Sequence, residues 1–161
     1  MKNNTISALS IKDTESELKY TTADLSVINT FASFKITPKF DIELELNSEF
    51  ISKFIKAKNA LPDVKIFTLS PNKKKKIQFI VGGENENSNK IILDVKAKNG
   101  MDELDGPLTF NAKHLKEILN GNNECDETVL LIDTRGLAKL EFEKDNFKST
   151  YYLANEDEDD N

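Results

Sequence analysis

Residues 108–121, LTFNAKHLKEILNG, have a counterpart 64 residues earlier, and this duplication constrains the fold more than any other feature of the chain. Leu108 and Phe110 alternate with polar residues, as in a strand that is buried on one face. Asn111 is placed to cap the first helical amides, and Leu115, Ile118 and Leu119 form one apolar stripe. Asn120-Gly121 suits a left-handed helix stop. The earlier segment, residues 44–55 (LELNSEFISKFI), sets Leu44, Leu46, Asn47, Ile51, Phe54 and Ile55 at the matching positions. The stretches downstream of the two copies also match. Segments 64–69, 76–81 and 90–95 read as strands after the first helix, and segments 129–133, 138–142 and 148–153 after the second. The pattern predicts one α+β domain over residues 40–155. It consists of two strand-helix-three-strand repeats, with both helices on one face of antiparallel sheets.

The flanks differ in kind. Residues 1–25 read as a hairpin, with strands over 5–11 and 17–22, and match the last hairpin of the domain: Leu9 falls on Leu140, Ile11 on Phe142 and Tyr20 on Tyr152. They are expected to close a preceding domain whose front is missing. Residues 26–39 read as an extended connector, because Pro38 disfavours helix at Thr37 and no helical stripe is present. Its Phe31, Phe34 and Ile36 are apolar enough to pack on the domain or to meet a partner. Residues 156–161 form an acidic tail.

That tail governs the charge. The formal charge is −6, but without the five acids at 156–160 there are 23 acids against 22 bases. The body is not globally basic, so any nucleic-acid contact has to come from local arrangement. No apolar run is long enough for a membrane span, and no secretory leader is evident. A single cysteine, Cys125, excludes an internal disulfide framework and fits a reducing compartment. The expected location is therefore cytoplasmic, in a host if the chain is viral.

Local arrangement does occur on the helices. Lys53 and Lys56 on the first, and Lys113 and Lys116 on the second, point away from or flank the apolar stripes. A pair on one helix is usually only a solvated face; its recurrence in both repeats is less ordinary. Catalytic chemistry is not apparent. His114 lacks a partner at metal-ligand spacing, and residues 100–106 lack the spacing and closing Glu of a calcium loop. Phosphate-cradling glycine loops and a nucleophile elbow are also lacking. The reading is of a non-enzyme without metal or cofactor.

The duplicated unit with outward lysines resembles the DNA sliding clamps. LTFNAKHLKEIL is similar to the second repeat helix of a clamp domain, and GLAKLEFEKDNFKSTYYLANEDEDD to a clamp C-terminus such as that of proliferating cell nuclear antigen. The helix spacing and the connector before Asp41 look nearer to clamps of T-even-like phages. The resemblance implies a processivity factor, with a homo-oligomeric ring of six domains whose helices line a hole threaded by double-stranded DNA. Lys53, Lys56, Lys113 and Lys116 would face the DNA. A DNA polymerase and a clamp loader would bind the outer face, near Ile28, Phe31, Phe34, Ile36 and Pro38 of the connector and Leu153, Ala154 and Asn155. Clamp subunits have two or three domains, so this chain looks like the C-terminal part of one. The alternative is a monomeric interaction module of the same fold that never encircles DNA.

Overall fold

A computed structural model describes residues 8–22, 37–72, 76–83, 88–125 and 127–156. The chain divides into two compact units, Met1–Thr37 and Pro38–Asn161. In the first, β1 (Ala8–Lys12) and β2 (Glu17–Thr21) form an antiparallel hairpin. Its register pairs Leu9 with Tyr20 and Ile11 with Leu18. In the last hairpin of the chain Leu140 pairs with Tyr151 and Phe142 with Ser149. The hairpins therefore match with Tyr20 on Tyr151, one residue from the expected Tyr152. Paired residues project to one side of a ladder, so Leu9, Ile11, Leu18 and Tyr20 share a face. All four are more than half exposed.

The second unit runs β3 (Ile42–Glu45), α1 (Ser48–Ala60), β4 (Ile66–Pro71), β5 (Ile77–Gly82), β6 (Lys90–Val95) and a short β7 (Ala97–Asn99). A single turn of 3-10 helix (Met101–Glu103) then leads to β8 (Leu108–Asn111), α2 (Ala112–Gly121), β9 (Glu127–Asp133), β10 (Leu137–Lys144) and β11 (Phe147–Ala154). The strand-helix-three-strand order is as expected, with β7 added. No helix is long and apolar enough to cross a membrane.

The strands form two antiparallel sheets, ordered β11-β10-β9-β3-β7 and β6-β5-β4-β8. Each repeat's first strand therefore lies in the other repeat's sheet. Ile42 and Leu44 of β3 pair with Ile132 and Leu130, and Phe110 of β8 pairs with Phe67. Neither half can complete its sheet alone. Inward-facing Phe67, Leu69, Ile77, Phe79, Val81, Leu130, Ile132, Leu140 and Phe142 join the helix stripes in one core. Phe54 packs edge-on against Phe67 at 5.4 Å, and Phe50 against Phe79 at 4.7 Å.

Both caps form as read. Asn47 Oδ1 accepts from Phe50 N at 2.8 Å and Asn111 Oδ1 from His114 N at 2.9 Å. The expected left-handed stop at Gly121 does not. Gly121 is still helical, and the end is closed by Asn122, whose Nδ2 donates to Ile118 O at 2.8 Å. The stripes also differ in phase: Phe54 and Leu119 are fully buried, while their counterparts Ile118 and Ile55 are only partly so.

Candidate nucleic-acid interface

The two helices lie side by side, so their outer faces form one surface. It is basic: α1 presents Lys53 and Lys56 against Glu49, and α2 presents Lys113 and Lys116 against Glu117. Four lysines less two glutamates give this surface +2, leaving −8 for the rest of a chain whose formal charge is −6. Lys58 is not part of this surface. It is buried and donates to the carbonyls of Leu61 and Pro62, closing the end of α1.

The four predicted lysines are not equivalent. Lys53, Lys56 and Lys113 are exposed and Lys116 is half-buried. Lys53 Nζ lies 2.6 Å from Glu49 Oε1, a pair that holds the Glu49 carboxyl below its ordinary pKa. Lys113 Nζ lies 3.8 Å from Glu117 Oε1. Lys56 and Lys116 have no acid within 4 Å among the described residues. Exposed pairs of this kind are weak and salt-screened, so phosphate can displace them. The arrangement can hold a polyanion; it offers no base-reading geometry and no reacting centre. Among the described residues no three His, Cys, Asp or Glu side chains converge as a metal site.

The predicted partner-binding residues divide by position. Ile28, Phe31, Phe34 and Ile36 lie outside the described residues. Pro38 is half-buried, Ala154 exposed and Asn155 half-buried, whereas the Leu153 side chain belongs to the core. Pro38 and Asn155 lie at the two ends of the domain, and the Asp133–Gly136 turn holds residues next to or at both. Asp133 Oδ2 accepts from Lys39 N at 2.8 Å, and Gly136 O accepts from Asn155 N at 2.7 Å. Gly136 has φ +99, and a Cβ there would fall 2.7 Å from Asn155 Cβ. Asp133 is buried and also accepts from the Arg135 backbone and guanidinium, which holds its carboxyl well below the usual range despite burial.

Sequence reasoning missed this turn, because its partners are distant in the chain. It also missed the outward row Tyr152, Lys139 and Leu131, which only strand pairing assembles. Lys139 Nζ in that row lies 5.6 Å from the centroid of Phe40. The alternation of Tyr151 and Tyr152 on a strand was the available signal, since it must send one of them outward.

No protein-family model matches the sequence, and no curated protein matches it. Solved structures do. Proliferating cell nuclear antigen (PCNA) from Entamoeba histolytica aligns with 92% of this chain and 59% of its own, at 15% identity and TM-score 0.63. The PCNA of A. fulgidus, bound to the C-terminal region of FEN-1, aligns with 96% of this chain and 62% of its own, at 18% identity and TM-score 0.65. The PCNA2–PCNA3 complex of Sulfolobus tokodaii gives 92% and 59%, at 10% identity and TM-score 0.67. The chain thus has the sliding-clamp fold, in line with the resemblance read from its helices and closing strands, and spans about three-fifths of the length of these clamps. None of the three is a phage protein.

Proposed function

We propose that the chain is a sliding-clamp subunit, or the C-terminal part of one, that encircles duplex DNA and tethers a replicative polymerase without catalysis of its own. The observation that carries this is the basic surface of α1 and α2, on a clamp fold whose net negative charge lies elsewhere, largely in the tail. Lysines on a smooth helical surface meet phosphates without reading bases, which permits sliding and makes contact salt-dependent. In this reading residues 1–25 close a preceding clamp domain, residues 26–39 connect to the domain over 40–155, and residues 156–161 are the tail. The uncovered face of Leu9, Ile11, Leu18 and Tyr20 supports it, because Leu140 and Phe142 at the matching positions are fully buried in the domain core. Strand β6 ends its sheet with Ile92 exposed and is suited to a subunit joint in a ring. Polymerase and clamp loader would use the outer face around Pro38, Tyr152, Ala154 and Asn155.

The test is replacement of Lys53, Lys56, Lys113 and Lys116 by Glu. Polymerase stimulation on a loaded circular template, with native loader and any missing domain supplied, is expected to fall to the clamp-free level. Folding and polymerase-peptide binding should be retained. Stimulation equal to the parent's overturns the DNA-channel reading. The second reading, a monomeric interaction module, is favoured by the pairing of Lys53 and Lys113 with acids of their own helices. Sedimentation separates the two readings, as a ring-sized oligomer or a monomer.

A further inference from the structure

Glu156, the last described residue, lies at the start of one of the two lysine-bearing helices. Helix α1 has its own acid in the first turn, Glu49, whereas α2 has none. The place is taken by Glu156. Its Oε1 accepts from Asn111 Nδ2 at 2.8 Å, on the side chain whose Oδ1 caps α2. The backbone is fixed there too: Glu156 N donates to Thr109 O at 2.9 Å, and Thr109 Oγ1 donates to Glu156 O at 2.6 Å. Asn155 Oδ1 accepts from Thr109 N at 2.8 Å, so the chain is tied along β8 up to the end of the described residues. Beyond that point the sequence continues Asp157, Glu158, Asp159 and Asp160.

Reach and charge both match. Four residues span at most about 14 Å. Lys113 and Lys116, second and fifth residues of α2, lie within about 8 Å of its start along the axis. The helix N-terminus itself attracts anions. Lys116 has no acid within 4 Å among the described residues, and Lys113 has only Glu117 at 3.8 Å.

We propose that acidic residues 157–160 dock on Lys113 and Lys116 when nucleic acid is absent, so that phosphates must displace them. The competition, though not the docking, rests on the reading that these lysines meet DNA. It makes the lysine surface selective: a duplex held around the helices presents many phosphates and wins, whereas a passing polyanion with few does not.

The test uses the whole chain. Zero-length carbodiimide cross-linking without nucleic acid should join Lys113 and Lys116 to residues 157–160, and added short duplex or high salt should suppress it. In parallel, a tail variant with Asp157→Asn, Glu158→Gln, Asp159→Asn and Asp160→Asn should bind a short duplex at low salt about tenfold more tightly, a gain that shrinks as salt rises. In a Lys113→Gln/Lys116→Gln background the gain should fall to about twofold, the part due to net charge alone. Equal gains in both backgrounds, or an absence of tail cross-links to α2, overturn the proposal. Cross-links that form while no variant binds duplex uphold the docking and overturn the nucleic-acid reading instead.

Discussion

Around α1 the packing is aromatic, with Phe50, Phe54, Phe67, Phe79 and Phe110 in mutual contact. In the second half the buried side chains are mostly aliphatic, Leu115, Leu119, Leu130, Ile132 and Leu140 beside Phe110 and Phe142. The halves also differ in what secures them. Helix α1 brings its own first-turn acid, Glu49, and its own closing lysine, Lys58. The second half is secured by the ends of the domain, through Lys39 on Asp133 and through Asn155 and Glu156 on Thr109 and Asn111. Duplication has copied the elements without copying what holds them in place. The half held by the domain's ends is the one placed to respond when those ends move.

The largest test of this contrast is Phe54→Ala against Ile118→Ala. The positions are equivalent by the repeat, but Phe54 is fully buried among rings while Ile118 is half-buried. The first change should cost about 3–5 kcal/mol and the second about 1–2 kcal/mol, since the cavity term needs an enclosed site. Equal shifts of the chemical-denaturation midpoint would break the comparison.

Next in size is Asp133→Asn, which loosens the turn that holds the start of the second unit. Its buried carboxylate takes charge-assisted bonds from Arg135 and the Lys39 amide. Losing them should cost about 2 kcal/mol at pH 7, with the Arg135 part reduced because that side chain is half exposed. The folded pKa is depressed, first by the Arg135 hydrogen bond. The stabilisation is therefore complete above the unfolded value of about 4 and is lost as pH falls through the folded one. Parent and variant unfolding curves should stay separated from neutrality to about pH 4 and converge at more acidic pH. A gap that persists unchanged into strong acid would remove the carboxylate from the account.

What the sequence revealed was local. The caps at Asn47 and Asn111 follow from residue type and short-range period and formed as read. The first hairpin formed one residue out of its expected match, and Lys53, Lys56 and Lys113 are exposed while Lys116 is half-buried. The exchange of β3 and β8 between sheets could not be read, because alternation fixes which face a strand buries and not which strand lies beside it. The phase slip between Phe54 and Ile118 arises from packing neighbours that the sequence does not name. The basic surface was legible in position but not in strength. Its ion pairs with Glu49 and Glu117 sit at the ordinary four-residue spacing, and they set the charge left for a partner. The anchoring of Glu156 spans 45 residues and carried no signal.

The smallest effect is also the most specific to the second half. Asn47→Ala and Asn111→Ala each remove a cap and should cost about 1 kcal/mol. The Asn47 side chain accepts from Phe50 N, and among the described residues no hydrogen bond joins it to Glu49. Asn111 additionally holds Glu156. A double-mutant cycle of Asn111→Ala with Glu156→Ala should therefore give a coupling of about 0.5 kcal/mol, falling with added salt as a carboxylate near a helix N-terminus does. The matching cycle of Asn47→Ala with Glu49→Ala should give a coupling indistinguishable from zero. The pair of cycles isolates the feature that distinguishes the halves, because each subtracts the cap common to both. Equal couplings would mean that Glu156 does for α2 no more than Glu49 does for α1, and that the second half is held from within after all.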